Sequence, residues 1–168
     1  MEEKFAIPGV AGIIEKEVRG IKYVLIQERW KEDAKTEEGL IEIPAGKIRE
    51  FENIYTCLKR EIKEETGLDV IEIEGEKDAT VLELNGYKVL NYKPFSHAQN
   101  IEGNYPIMVQ TFICKVEGEL LIQTNETQNL KWITLKELRR LIEEEIDTLY
   151  PMHVHTFLMY LEHSKERC

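Results

Sequence analysis

The sequence predicts an α/β fold, a mixed β-sheet flanked by helices. Three observations predict it. Segments rich in Ile and Val, bounded by glycine or polar runs, come first; a helical apolar period follows at Asn53 to Thr66, just ahead of Gly67; and β-branched and aromatic residues then return before two further helical stretches. Such a pattern does not encode the order of the strands.

Ala6 to Glu15, Ile21 to Glu28 and Leu40 to Ile43 read as strands. The polar run Trp30 to Gly39 between two of them reads as an exposed loop. In Asn53 to Thr66 the apolar residues Ile54, Leu58 and Ile62 recur every four residues, which on a helix draws one narrow stripe, and Gly67 stands where a helix C-terminus favours glycine. Val70 to Glu83, Tyr87 to Phe95 and Ile107 to Val116 read as strands again. Asn85-Gly86, a hairpin-turn pair, and the polar loop Ser96 to Pro106 separate them. Leu130 to Ile133 is one more short strand. Leu135, Leu138, Leu141 and Ile142 follow a helical period, and Met152 to Glu162 is a last helix with Pro151 near its start.

No low-complexity tract, repeat or Pro/Gly/Ser-rich linker divides the 168 residues, so residues 1–168 are expected to form a single domain. An apolar fraction of 42% and a charged fraction of 32%, with no apolar run near the ~20 residues that span a bilayer, predict a soluble protein. Met1-Glu2-Glu3-Lys4 is unlike a secretory signal, so the expected location is cytoplasmic. Cys57, Cys114 and Cys168 lack the spacing of a zinc site or disulfide framework and read as reduced thiols. With 22 basic and 32 acidic residues the net charge is −10, which disfavours a nucleic-acid polymer as partner. A phosphorylated ligand would need a metal ion to mediate.

The informative segment runs Gly46, five residues, Glu52, seven residues, then Arg60-Glu61-Ile62-Lys63-Glu64-Glu65-Thr66-Gly67-Leu68. On a helix at about 100° per residue from Ile54, Leu58 and Ile62 fall near roughly 40° and 80°, and Glu61, Glu65 and Glu64 near roughly 340°, 20° and 280°. The three carboxylates therefore crowd the border of the buried stripe, while Lys59 and Lys63 point to the opposite side. Like charges beside an apolar core repel and lose hydration, a strain that a cation relieves, and oxygen ligands of this kind suit Mg²⁺ or Mn²⁺. Gly46 lets the preceding loop turn a main-chain carbonyl toward that cation.

Nine positions of this segment match the Nudix box, and the chain resembles the MutT-like Nudix hydrolases; the odds of an accidental match at a given start are on the order of one in a billion. Ile43-Pro44-Ala45 before the box and Leu130-Lys131-Trp132-Ile133 after it fit the same resemblance. It implies an α/β/α sandwich and Mg²⁺-dependent cleavage of the diphosphate of a small-molecule nucleotide substrate, a nucleoside diphosphate linked to another moiety. The implied metal ligands are Glu61, Glu64, Glu65 and the Ala45 carbonyl. Arg60 is implied to orient a glutamate, Glu52 or Glu64, and Glu64 or Glu61 to act as the general base. Glu126, in Thr124-Asn125-Glu126-Thr127-Gln128, sits where several members carry a further metal-binding or basic glutamate; an ordinary surface glutamate is the equal alternative. Phe51 departs from the pattern, because a glycine often precedes the first glutamate, and Thr56-Cys57-Leu58 stand where small residues are common.

Glu42-Ile43-Pro44-Ala45-Gly46-Lys47 is more similar to nucleotide-sugar and ADP-ribose pyrophosphatases than to triphosphate sanitisers, whereas Leu82-Glu83-Leu84-Asn85 lacks the proline often found in ADP-ribose enzymes. A sanitising triphosphate pyrophosphatase, a non-catalytic nucleotide sensor and an isoprenoid diphosphate isomerase stay open as alternatives, as does a homodimer. His97, Gln99 and Asn100 are candidates for contact with the base or second moiety. His153 and His155, two residues apart, would not share a helix face and read as structural or surface residues.

Overall fold

In the computed structural model, which describes residues 1–30 and 35–167, the strand β1 (Ile7–Val18) is the axis of a mixed sheet. Its first half runs parallel to β9 (Ile107–Glu117), and its second half pairs antiparallel with β2 (Ile21–Arg29). β10 (Thr127–Thr134) extends the sheet beyond β2, while β5 (Asp69–Ile73) and β8 (Ser96–Gln99) share the far edge of β9. Two short strands, β3 (Ile41–Glu42) and β4 (Ala45–Lys47), lie where β1 and β2 part, β3 against β2 and β4 against β1. The chain from Ile41 to Lys47 thereby crosses the fork, setting Glu42 opposite Gln27 and Gly46 opposite Val10.

Helix α1 (Ile54–Thr66) covers one face of the sheet. The Asn53 side chain caps its N-terminus by accepting from the Tyr55 N–H at 2.9 Å, and Gly67 closes it in a left-handed conformation at φ 79°. Ile54, Leu58 and Ile62 are all buried against Val10, Ile14, Leu25 and Phe112. Burying each such side chain stabilises the fold by about 1.5–3 kcal/mol. Gly12 on β1 lets the helix sit this close, because a Cβ there would meet the Ile62 and Leu58 methyl groups at 3.0 and 3.3 Å. Helices α2 (Leu135–Glu144), begun by a Thr134–Glu137 capping box, and α3 (Pro151–Glu166), with Pro151 in its first turn, cover the opposite face. Their Leu138, Leu141, Phe157 and Leu161 pack on Ala11, Ile13, Val24 and Ile113. The result is a sheet between two helical layers, as expected. No helix among the described residues is long and apolar enough to cross a membrane.

The structure departs from the sequence pattern at three places. Val70 to Glu83 is not one strand: Gly75, at φ 87°, and a 3-10 turn at Glu76–Asp78 separate β5 from β6 (Thr80–Leu84), which pairs with β7 (Tyr87–Asn91) in a separate hairpin through Asn85-Gly86. Ser96 to Gln99 begins the segment expected as a loop, yet it pairs with β9, and its Ser96 and Ala98 take the inward positions. Ala45–Lys47 is a strand too short to show a period of two. Of the expected loop Trp30 to Gly39, residues 31–34 lie outside the described residues; Lys35–Glu37 form a 3-10 turn.

Two local features set measurable stability terms. His153 on α3 is 1% exposed, packed edge-on against Tyr150 and Phe157, with no hydrogen-bond partner on either ring nitrogen among the described residues. Burial, and then the charge of Arg29, holds its pKa down to about 3 from 6.5. The unfolded chain thus takes up a proton that the folded chain refuses, so this contribution to stability is complete above about pH 6.5 and is lost as pH falls toward 3, by up to about 1.4 kcal/mol per pH unit. Denaturant midpoints should fall across pH 6.5 to 4.5, and His153→Leu should flatten that interval; an unaltered slope in the variant would exclude His153 as the group. The second feature is Phe51, wholly exposed at φ 57°, where the left-handed backbone strains any residue with a Cβ and explains the glycine common at this position in similar boxes. Phe51→Gly should raise stability by about 1 kcal/mol, read as a higher melting temperature, and a lower one would show that the ring stabilises the loop.

Candidate active site

Glu61, Glu64 and Glu65 lie along the border of the buried face of α1, and the lysines of the same helix turn away from them. Lys59 pairs with Glu76 at 2.7 Å and Lys63 with Asp69 at 2.9 Å, both on the far side. Among the described residues, Arg60 is a cation that faces the box. Its Nε and Nη2 grip Glu52 at 2.8 and 3.0 Å, Nη1 reaches Glu61 at 2.6 Å, and Glu64 is more distant at 3.5 Å. The two-point grip of a planar guanidinium on a carboxylate fixes direction as well as charge. Arg60, foremost by its hydrogen bonds, holds the Glu52 carboxyl down to about 2. The Arg49 N–H gives Glu52 a further hydrogen bond at 3.0 Å, closing the loop between β4 and α1.

Gly46 has a role other than a turn. It lies in β4 with no left-handed backbone, but a Cβ at this position would fall inside the Glu61 carboxyl group. Glycine is required by close approach, so that Glu61 lies flat against the strand.

Glu65 is 3% exposed, and its Oε2 accepts from Gln27 Nε2 at 2.9 Å and from the Ala45 N–H at 3.1 Å. Gln27 Nε2 also approaches Glu42 Oε1 at 3.4 Å, and Arg29 binds Glu42 Oε2 at 2.8 Å. Burial opposes the charge of Arg29, but Glu42 and Glu37 outweigh it, so its pKa is raised. Sequence patterning alone does not single out Gln27, Arg29 or Glu42 as site residues. A signal was present: Gln27 ends the buried run Val24-Leu25-Ile26, and Glu42 sits between Ile41 and Ile43, and polar groups inside apolar strands are buried only with partners.

The donor set fits a hard divalent cation. Carboxylate and carbonyl oxygens suit Mg²⁺ or Mn²⁺. The Pro44 carbonyl accepts from Gly12, and Ile48 donates to the Pro8 carbonyl, so by strand alternation the N–H and C=O of Ala45 between them face away from β1, toward Glu65. Burial first, and also the charges of Glu64 and Glu126, raise the Glu61 pKa despite Arg60. That mutual repulsion, in which Glu126 outside the box shares, is what a cation would relieve. Among the described residues no three acidic, His or Cys side chains are drawn together as a ready cation cage. Glu61 is held by Arg60, Glu65 by Gln27 and Ala45, and Glu64 is 55% exposed.

The other candidates are dispersed. His97 and Gln99 are exposed on β8, and Gly46, Val10, Gln110 and His97 stand in line across the sheet. Three strand spacings put His97 roughly 14 Å from the box glycine. Asn100 is engaged by its own loop, donating to the Tyr105 carbonyl at 2.7 Å. His153 is buried and His155 exposed. Cys57 is buried with its thiol pushed up to about 12, mainly by burial, and Cys114 is likewise buried and raised; Cys168 lies outside the described residues.

The NUDIX domain family model matches residues 7–153. No protein of curated function matches the chain in sequence. Solved structures of similar fold include the NUDIX domain of Shewanella oneidensis NrtR complexed with ADP ribose, at TM-score 0.64 and 15% identity over 98% of this chain and 90% of that one. A Caenorhabditis elegans Ap4A hydrolase in a binary complex aligns at TM-score 0.60 and 14% identity over 95% and 98% of the two chains. The MutT protein of Methanosarcina mazei Go1 does so at 0.59 and 21%, over 98% and 99%. The match over residues 7–153 and the box on α1 agree: the chain belongs to the Nudix family, hydrolases of phosphorus-containing acid anhydrides.

Proposed function

We propose that the chain hydrolyses the diphosphate of a nucleoside diphosphate linked to another moiety, with a divalent cation held by Glu61, Glu64, Glu65 and the Ala45 carbonyl. The observation that carries this reading is the row of box carboxylates on α1 set against β4, with Arg60 beside them. When bound, the cation screens the charge of the diphosphate and acidifies water. The protein's own part is orientation and proton transfer. Arg60, fixed by Glu52, directs Glu61; Glu65 is fixed from two strands. Glu64, exposed and only distantly approached by Arg60, is left to accept the proton of the attacking water. ADP-ribose or a nucleotide sugar is the favoured substrate class, supported by the Glu42-Ile43-Pro44-Ala45-Gly46-Lys47 approach to the box and by a structurally similar NUDIX domain complexed with ADP ribose. His97 and Gln99, on the same sheet face as the box, would meet the far moiety of such a substrate.

A screen with Mg²⁺ over ADP-ribose, nucleotide sugars, dinucleoside polyphosphates and oxidised deoxynucleoside triphosphates, with products identified, tests this reading, and absence of metal-dependent turnover on all of them would refute it. Glu65→Gln keeps an oxygen for Gln27 and Ala45 while removing a charge. Folding should survive, whereas Mn²⁺ affinity should fall and turnover drop by at least about 10²-fold. Unchanged turnover at limiting Mg²⁺ would remove Glu65 from the site. Hydrolysis in ¹⁸O-water should place the label in a phosphate product, for ADP-ribose either AMP or ribose 5-phosphate. Label in a sugar hydroxyl would mean attack at carbon.

A further inference from the structure

Gln27 lies outside the box, on β2, yet its carboxamide sits between two buried carboxylates. It is 1% exposed; its Nε2 donates to Glu65 Oε2 at 2.9 Å and approaches Glu42 Oε1 at 3.4 Å. Both neighbours are acceptors, so the amide must turn its nitrogen toward them. Its own Oε1 then has no hydrogen-bond partner among the described residues. The orientation favours donation to the carboxylates at the expense of the amide's own carbonyl. Glu42 is in turn anchored by Arg29 at 2.8 Å, and Ala45 N–H meets the same Glu65 oxygen at 3.1 Å.

We infer that Gln27 is a positioning residue, which sets the direction of the Glu65 carboxylate toward a divalent cation by tethering it to the Glu42–Arg29 pair. The inference rests on the cation-binding role proposed for Glu65. The chemistry of the side chain suits the task. A lysine at this place would bring its own positive charge to Glu65 and compete with the cation, and a carboxylate would add a third negative charge. A neutral donor with two N–H groups holds both acids and leaves their charge available. Orienting partners behind metal ligands typically change metal affinity by about 10- to 100-fold when removed.

The test is Mn²⁺ binding to the substrate-free protein, followed by electron paramagnetic resonance, in the wild type and in Gln27→Met, which keeps length but cannot donate. The dissociation constant should rise at least about tenfold in the variant. Turnover at limiting Mg²⁺ should fall, and saturating Mg²⁺ should restore most of kcat, a split that simple loss of folded protein would not produce. Wild-type affinity in Gln27→Met overturns the inference while leaving the proposed function standing. Absence of Mn²⁺ binding in the wild type overturns both. A second measurement needs no variant: on titration of wild-type protein with Mg²⁺, the Gln27 side-chain amide resonances should shift together with the Ala45 amide. A shift at Ala45 with Gln27 unmoved would overturn the inference even if Gln27→Met did not fold.

Discussion

One buried carboxylate on the last turn of α1 accepts hydrogen bonds from two strands at once, and the seating of the helix on the sheet follows from it. Glu65 takes one bond from Gln27 on β2 and one from the Ala45 backbone on β4, the two sides of the fork where β1 and β2 separate. The same turn of helix receives two more: Thr127 Oγ1 donates to the Glu65 carbonyl at 3.1 Å, and the Leu121 N–H donates to the Thr66 carbonyl at 2.9 Å. An apolar stripe such as Ile54, Leu58 and Ile62 holds a helix to a sheet without fixing its rotation or its slide. Hydrogen bonds to a charged group, each contributing about 1.5–3 kcal/mol and strongly dependent on direction, fix both. Removing one donor leaves a buried charge underserved, which is why the seat is specific as well as stable.

The remaining carboxylates are arranged by the opposite physics, repulsion restrained from outside. Glu61 and Glu64 stand one turn apart, and a cation on this face committed wholly to those two would compete with a metal. Arg60 instead commits two of its nitrogens to Glu52, a residue of the preceding loop, and turns the third to Glu61 at 2.6 Å, with Glu64 more distant at 3.5 Å. A lysine has no planar fork and could not serve both acids in fixed directions. Glu52 therefore matters through the geometry that it imposes on Arg60, and its spacing of eight residues from Arg60 is the length of loop and first helical turns needed to bring the two together.

How much of this was legible depends on how local each feature is. The helix α1, its terminal Gly67 and its acidic border follow from residues within one segment, so periodicity and the C-terminal preference for glycine revealed them, whereas the Asn53 cap emerged only in the structure; Lys59 and Lys63 do turn away as the helical angles require. Gly46 was legible as a position but not in its reason: the contact is with Glu61, fifteen positions along, and only the approach of helix to strand makes a Cβ intolerable. The bridge from Gln27 to Glu42 and Glu65 joins three segments across the sheet fork, and strand order, which no pattern of alternation carries, decides it. β8 was hidden for a related reason, since the inward-pointing Ser96 is polar and Ala98 is small, so neither marks a buried face; Ser96 instead shares a buried hydrogen bond with Thr156 of α3 at 2.6 Å.

The environment of the thiols bears on which chemistry the scaffold favours. An isomerase acting at carbon would need a cysteine able to exchange a proton near neutral pH. Cys57, although in the box helix, donates toward the Lys47 carbonyl at 3.4 Å and is pushed up to about 12, first by burial and then by Glu52. Cys114 is enclosed on β9 among the apolar residues that pack against α1, and burial raises it too. A thiol so disfavoured as thiolate is a packing group. The groups that line this edge of α1 are instead carboxylates whose oxygens suit hard cations, and a chain of net charge −10 meets an anionic diphosphate most readily where a cation offsets both. Local electrostatics therefore favours chemistry at a phosphorus anhydride over chemistry at carbon.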